Sequence, residues 1–149
     1  MCIRDRSKAR SWLEKPQTGT AANDVNIRTL VQYALSCANA ADFSTCNRLF
    51  RERGKLNDAG KALLAATFTN LERPENAKIL LNAMADHSEW SKQKSPIHYS
   101  DTFIAARALS SAVEVMPEAD LVTTLRDICL LYTSPSPRDL STSRMPSSA

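Results

Sequence analysis

The stretch Asn57–Ala85 constrains this chain more than any other. Ala59, Ala62, Leu63, Ala66 and Phe68 are followed, after a break at Leu71-Glu72-Arg73, by Ala77, Leu80, Leu81 and Met84. Steps of three and four are the period of an amphipathic helix. Asn57 can cap the first helix, and Pro74 suits the first position of the second. A turn this short makes two helices antiparallel neighbours, so the unit is an αα-hairpin. Its first helix is rich in Ala and apolar on more than one face, as expected of a helix packed on two sides.

The rest of the chain follows the same period. Ile27, Leu30, Val31, Ala34, Leu35 and Ala38 form one stripe, capped by Asn23 or Asp24. Asp42 opens a helix carrying Phe43, Cys46, Leu49 and Phe50, which should stop at Gly54 in a left-handed C′ conformation. Ser7–Lys15 reads as a helix end contributing Trp12 and Leu13, broken by Pro16. After a polar connection, His87–Tyr99, Ser100 caps a helix over Asp101–Val115, with Ile104, Ala105, Ala108, Leu109 and Ala112 buried. Pro117-Glu118-Ala119-Asp120 opens a last helix through Leu121, Val122, Leu125 and Ile128. No segment alternates with period two, so the expected fold is all α, built of antiparallel helical hairpins.

Both ends read as having a different origin from the rest. Met1-Cys2-Ile3-Arg4-Asp5 can be written in codons as ATG TGT ATA AGA GAC, and Cys129-Leu130-Leu131-Tyr132-Thr133-Ser134 as TGT CTC TTA TAC ACA TCT. The two are reverse complements over most of their length and look like transposase ends from sequencing libraries. Ser143–Ala149 looks like the flow-cell primer that follows. Residues 1–6 and 129–149 are therefore read as adapter-derived, the latter disordered and packing against nothing specific. Residues 7–128 are read as a fragment of a longer helical protein. Without the ends, which carry Arg4, Arg6, Arg138 and Arg144 against Asp5 and Asp139, the net charge of +3 falls close to neutral. No nucleic-acid or anionic-membrane partner is then implied, and no apolar run reaches the ~20 residues of a membrane span.

The remaining motifs point to no chemistry. Cys37 and Cys46 have neither disulfide-framework nor metal-ligand spacing, and on helices they read as small buried hydrophobes. His87 and His98, near Asp86, Glu89 and Asp101, lack a helical ligand pair and read as solvent-exposed loop histidines. Arg48, Arg51, Arg53 and Lys55 read as a solvated helix end that complements the dipole. Trp90 and Tyr99 read as anchors of the long connection, with a ligand groove as the alternative. Thr18-Gly19-Thr20 lacks the spacing of a phosphate loop. No nucleophile, base and orienting group come together, so neither catalytic residue, cofactor nor metal is assigned.

Arg48-Leu49-Phe50-Arg51-Glu52-Arg53, Leu56-Asn57-Asp58-Ala59-Gly60-Lys61-Ala62-Leu63-Leu64-Ala65 and Asn76-Ala77-Lys78-Ile79-Leu80-Leu81 together resemble the bacterial alpha-2-macroglobulin family. Tyr99-Ser100-Asp101-Thr102 running into Ala105-Ala106-Arg107-Ala108-Leu109 is similar to a further inner helix of that family. Val115-Met116-Pro117 with Leu121-Val122 is similar to the end of its hairpin. The resemblance covers Asp42–Ile128. It implies part of the α/α toroid of a thioester domain, in a non-enzymatic endopeptidase inhibitor that traps target proteases at the cell surface or in the periplasm. The family's Cys-x-Glu-Gln thioester motif is not in this sequence: Cys37 begins Cys-Ala-Asn-Ala, and Cys46 begins Cys-Asn-Arg-Leu. The partners implied are the rest of the parent chain and, through it, proteases. Two alternatives stand beside this reading. One is a tetratricopeptide-like binding module, whose hairpins should repeat every ~34 residues. The other is a toroid glycosidase, for which Asp101 is the single good carboxylate candidate.

Overall fold

In a computed structural model the described residues are 3–13, 23–84, 87–92, 97 and 99–133. They form α1 (Ile3–Leu13), α2 (Val25–Ser36), α3 (Phe43–Arg51), α4 (Asp58–Asn70), α5 (Pro74–Asn82), α6 (Asp101–Val115) and α7 (Asp120–Thr133). Short 3-10 turns occupy Arg53–Lys55 and His87–Lys92. Among the described residues there is no strand, and the fold is all α.

Local chemistry sets the helix ends. The Asp24 carboxylate accepts the amides of Asn26 at 2.8 Å and Ile27 at 3.2 Å. Asp42 accepts those of Ser44 and Thr45, Asn57 that of Gly60 at 2.7 Å, and Ser100 that of Phe103. Each satisfies a donor that the first helical turn leaves unpaired. Two helices close in the Schellman pattern on residues that are not glycine. At the end of α4, Glu72 has φ 57°, Arg73 N–H donates to Phe68 O at 2.8 Å and Glu72 N–H to Thr69 O. At the end of α2, Asn39 has φ 54°, Ala40 N–H donates to Leu35 O and Asn39 N–H to Ser36 O. Both patterns reverse the chain within a few residues.

The helices stack in two layers. α2, α4 and α6 lie side by side, with α3, α5 and α7 behind them. α2 and α4 run in the same direction, because both pairs of ends are tied. Asn57 N–H donates to the Asn26 side-chain oxygen at 3.1 Å at one end, and the Asn70 amide donates to Ser36 Oγ at 3.0 Å at the other. α4 and α5 form the hairpin expected from the sequence. Lys61 on α4 spans it, donating to the Asp58 carboxylate at 2.7 Å and to Ala83 O, past the C-terminus of α5, at 2.9 Å.

α4 is the centre of the fold. Asp58 to Gly60 and Ala62 to Phe68 are all buried, without a solvent face. Ala62, Ala65, Ala105, Ala108 and Ala112 have no exposed surface, and such small side chains let α4 and α6 approach closely. Leu49, Leu64, Phe68, Leu80 and Leu81 fill the space between the layers, with Phe50 edge-on to Phe68 at 5.6 Å between ring centres. Trp90, in the connection before α6, is 5% exposed and belongs to the same core.

Four expectations need correction. Gly54 is not a left-handed cap: α3 ends at Arg51, and Gly54 lies within the following 3-10 turn with an ordinary φ. Trp12 is 61% exposed and contributes surface rather than core. Cys37 is exposed at the end of α2 rather than buried, while Cys46 is buried. The expectation that residues from 129 onward pack against nothing specific does not hold for Cys129, which is half-buried against the core on an α7 that runs on to Thr133. The helical period of Leu121, Leu125 and Ile128 continues into that segment, and nothing in residues 129–133 opposes a helix. Residues 134–149, Pro16 and the Thr18-Gly19-Thr20 stretch lie outside the described residues.

The approach of α2 to α4 depends on Gly60. A Cβ there would lie 2.5 Å from the Asn26 side-chain oxygen, so Gly60→Ala should destabilise the fold by about 1–3 kcal/mol in urea denaturation. Gly54→Ala, with nothing within 4 Å, should be neutral or stabilising by up to about 1 kcal/mol. Equal effects at the two positions would mean that the close approach is absent. Lys61→Met should cost about 3 kcal/mol, since it removes an ion-pair partner from a fully buried carboxylate.

Candidate functional site

One polar cavity lies where α2, α4 and α6 meet. It has a volume of about 180 Å³ and is lined by Tyr33 and Cys37 from α2, Ala66, Thr69 and Asn70 from α4, and Arg107, Ser110, Ser111 and Glu114 from α6. The tie between Ser36 and Asn70 fixes α2 against α4 beside it. Arg107 fixes α6 against α2: its guanidinium donates to the Tyr33 hydroxyl oxygen and lies 5.5 Å from the centre of the Tyr33 ring. The hydroxyls of Ser110 and Ser111 both donate to the Arg107 carbonyl, at 3.0 and 3.4 Å.

The electrostatics keep this cluster polar without making it reactive. Burial raises the Tyr33 phenol above its usual range and a hydrogen bond with Cys37 adds to the shift, while the nearby positive Arg107 opposes it. The phenol is therefore neutral at pH 7, a hydrogen-bonding group and not a base. The geometry offers recognition of a ligand by a guanidinium, a phenol and small polar side chains. No acid–base pair or activated nucleophile is assembled there.

The residues singled out from the sequence lie elsewhere. His87 opens the 3-10 turn His87–Lys92, and His98 lies outside the described residues. Among the described residues no group of three or more His, Cys, Asp or Glu side chains could hold a metal ion. Asp101 is the first residue of α6, half-buried near its capped N-terminus. Tyr99 packs half-buried against the core and stacks on Phe103 at 5.1 Å, so Trp90 and Tyr99 act as anchors of the connection. In the basic run, Lys55 pairs with Glu52 at 3.4 Å, and Arg53 donates to Phe50 O at 3.2 Å while lying over the Phe50 ring. Arg53 thus satisfies a carbonyl of the last turn of α3. Arg48 and Arg51 line an open groove along α3 with Phe43, whose ring Arg73 covers at 5.2 Å.

Sequence reasoning missed the Tyr33–Arg107 contact. The available signal was Arg107 itself, a lone charge among Ala105, Ala106, Ala108 and Ala112 on a helix read as buried. Its partner lies 74 residues away, beyond the reach of any local pattern.

Among the described residues no helix is long and apolar enough to cross a membrane. Comparison with protein families, with curated proteins and with solved structures gave no match.

The two cysteines of the α2–α3 region should differ sharply in reactivity. Burial, with a smaller effect of the Asp42 charge, pushes the Cys46 thiol up to about 11, and its sulfur lies 3.7 Å from the Gln32 side-chain oxygen. Maleimide labelling of the folded protein at neutral pH, mapped by mass spectrometry, should modify Cys37 and spare Cys46 until denaturant is added. Equal labelling of both in the absence of denaturant would contradict the packing of α3 on α2.

Proposed function

We propose that this chain is a structural piece of an alpha-2-macroglobulin-like protease trap, contributing helical hairpins to an α/α toroid. It has no catalytic role of its own. The observation that carries the reading is the work done by Gly60-Lys61-Ala62-Leu63-Leu64-Ala65, the segment on which the family resemblance mainly rests. Gly60 admits α2, Lys61 joins the buried Asp58 to the end of α5, and the four residues after it are buried. Such a signature belongs to a helix enclosed by neighbours, as the inner helices of a closed ring are. The shared direction of α2 and α4, with a second layer behind them, is also what a ring of hairpins requires. In this reading the parent acts in the periplasm or at the cell surface, where it meets its target proteases. Neither cysteine of α2 and α3 stands in a Cys-x-Glu-Gln context, so covalent capture would use residues elsewhere in the parent.

One observation favours a helical-repeat binding module instead. The layer α2, α4 and α6 presents a polar cavity, and stacked hairpins commonly bind partners on such a face. The first helices of successive hairpins begin at Val25, Asp58 and Asp101, an uneven spacing that a regular repeat does not produce.

The uncut reading frame around this segment decides between the two. A secreted chain with extended period-two β segments before the helical region supports the trap. If Cys-x-Glu-Gln is also present, the purified parent should incorporate methylamine and release one thiol. A frame that continues on both sides as regular helical hairpins, without β segments, would overturn the trap and favour the adaptor.

A further inference from the structure

Among the described residues, the guanidinium of Arg107 has no carboxylate within ion-pair distance. Lys55, Lys61, Lys78, Lys92 and Arg126 each pair with an acidic side chain within 4 Å. Arg48, Arg51, Arg53 and Arg73 are exposed and, like the half-buried Arg28 and Arg107, show no such pair among the described residues; of these six, Arg107 lines the cavity. Arg107 instead gives one N–H to the Tyr33 hydroxyl, and a guanidinium has five N–H donors in a planar fork. It is half-buried beside the cavity between α2, α4 and α6, and its remaining donors are open to solvent at that cavity. A positive charge held in such a place, and not neutralised by an adjacent carboxylate, is poised for an anion.

The surroundings narrow the class of anion. The guanidinium fork matches the two oxygens of a carboxylate in one plane. Asn70 gives one amide N–H to Ser36 Oγ and keeps a second at the cavity. The Ser110 and Ser111 hydroxyls are committed as donors to the Arg107 carbonyl. Glu114 also lines the cavity, and its negative charge disfavours a doubly charged oxyanion more than a singly charged one. Ala66 supplies an apolar wall. A volume of about 180 Å³ leaves room for a few carbon atoms beside the charged group. We propose that the cavity between α2, α4 and α6 binds a small monocarboxylate, gripped by Arg107 with Asn70 assisting and with its hydrocarbon end against Ala66.

Propionate, its neutral isostere propionamide, and inorganic phosphate are the probes, each titrated into the full chain at constant ionic strength. The readout is ¹H–¹⁵N NMR of the Arg107 side-chain Nε–H and the Asn70 side-chain amide. Propionate should shift both signals saturably, with half-saturation at roughly millimolar concentration for so few atoms. Propionamide should shift neither, and phosphate should bind more weakly than propionate. Arg107→Gln should weaken propionate binding about tenfold or more. Because that variant also removes the contact to Tyr33, Ser110→Leu serves as a second test, since it fills the cavity and leaves Arg107 and Tyr33 in place. It should abolish the saturable shifts while keeping the wild-type melting temperature to within a few degrees. Shifts that never saturate with propionate, equal shifts with propionamide, or tighter binding of phosphate would each overturn the carboxylate site.

Discussion

A helix buried on every side cannot be stable by itself, because most of its surface finds favourable surroundings only once its neighbours are in place. α4 is such a helix, and the arrangement of α2, α5 and α6 follows from enclosing it. Its composition makes the enclosure possible. Gly60, Ala62 and Ala65 offer almost no side-chain bulk, so three helices can approach on different sides, while Leu63, Leu64 and Phe68 fill what space remains. The polar atoms inside this shell are all served. Thr67 returns its hydroxyl to Leu63 O at 2.9 Å, Asp58 meets Lys61, and among the described residues no buried side-chain polar atom lacks a partner. Unserved, each would cost about 1–3 kcal/mol.

Apolar packing of this kind is nearly indifferent to small slips of one helix along another. Register comes from the polar ties at the two ends. At the N-terminal end, Asn26, Asn57 and Gly60 form one unit in which the same Asn26 oxygen accepts the Asn57 amide and sits against the bare Cα of Gly60. At the C-terminal end, Ser36 meets Asn70 and Tyr33 meets Arg107. A slide of one residue, about 1.5 Å of rise, would break both sets at once. The second set does further work, because Arg107 belongs to α6. The polar cavity therefore lies where the registers of three helices are fixed together, on a rigid part of the fold.

The sequence showed clearly what local chemistry decides. The stripes of α4, α5 and α6, the caps Asp42, Asn57 and Ser100, and the tight α4–α5 turn all follow from periodicity and short-range hydrogen bonding. The helix ends were harder where the usual marker was missing. Gly54 is a natural left-handed residue that stays right-handed, whereas Asn39 and Glu72 adopt the left-handed form because their Schellman hydrogen bonds offset its cost. Long-range contacts left little trace. Trp90 was legible as an anchor of its connection, but the core partners it meets were not, and Arg107 finds Tyr33 only after three helices have assembled. The cavity was illegible for that reason: its residues are unremarkable singly and acquire a role by juxtaposition.

Native-state hydrogen exchange tests the central place of α4 most directly. The amides of Leu63 to Phe68 are enclosed by α2, α5 and α6, so they should exchange only through global unfolding and share one free energy, equal to that from denaturant titration. The amides of α1 and of the 3-10 turn His87–Lys92 should exchange by local opening at much lower free energies. Exchange of the α4 amides as readily as those of α1 would contradict this, and the enclosed helix would not be what organises the fold.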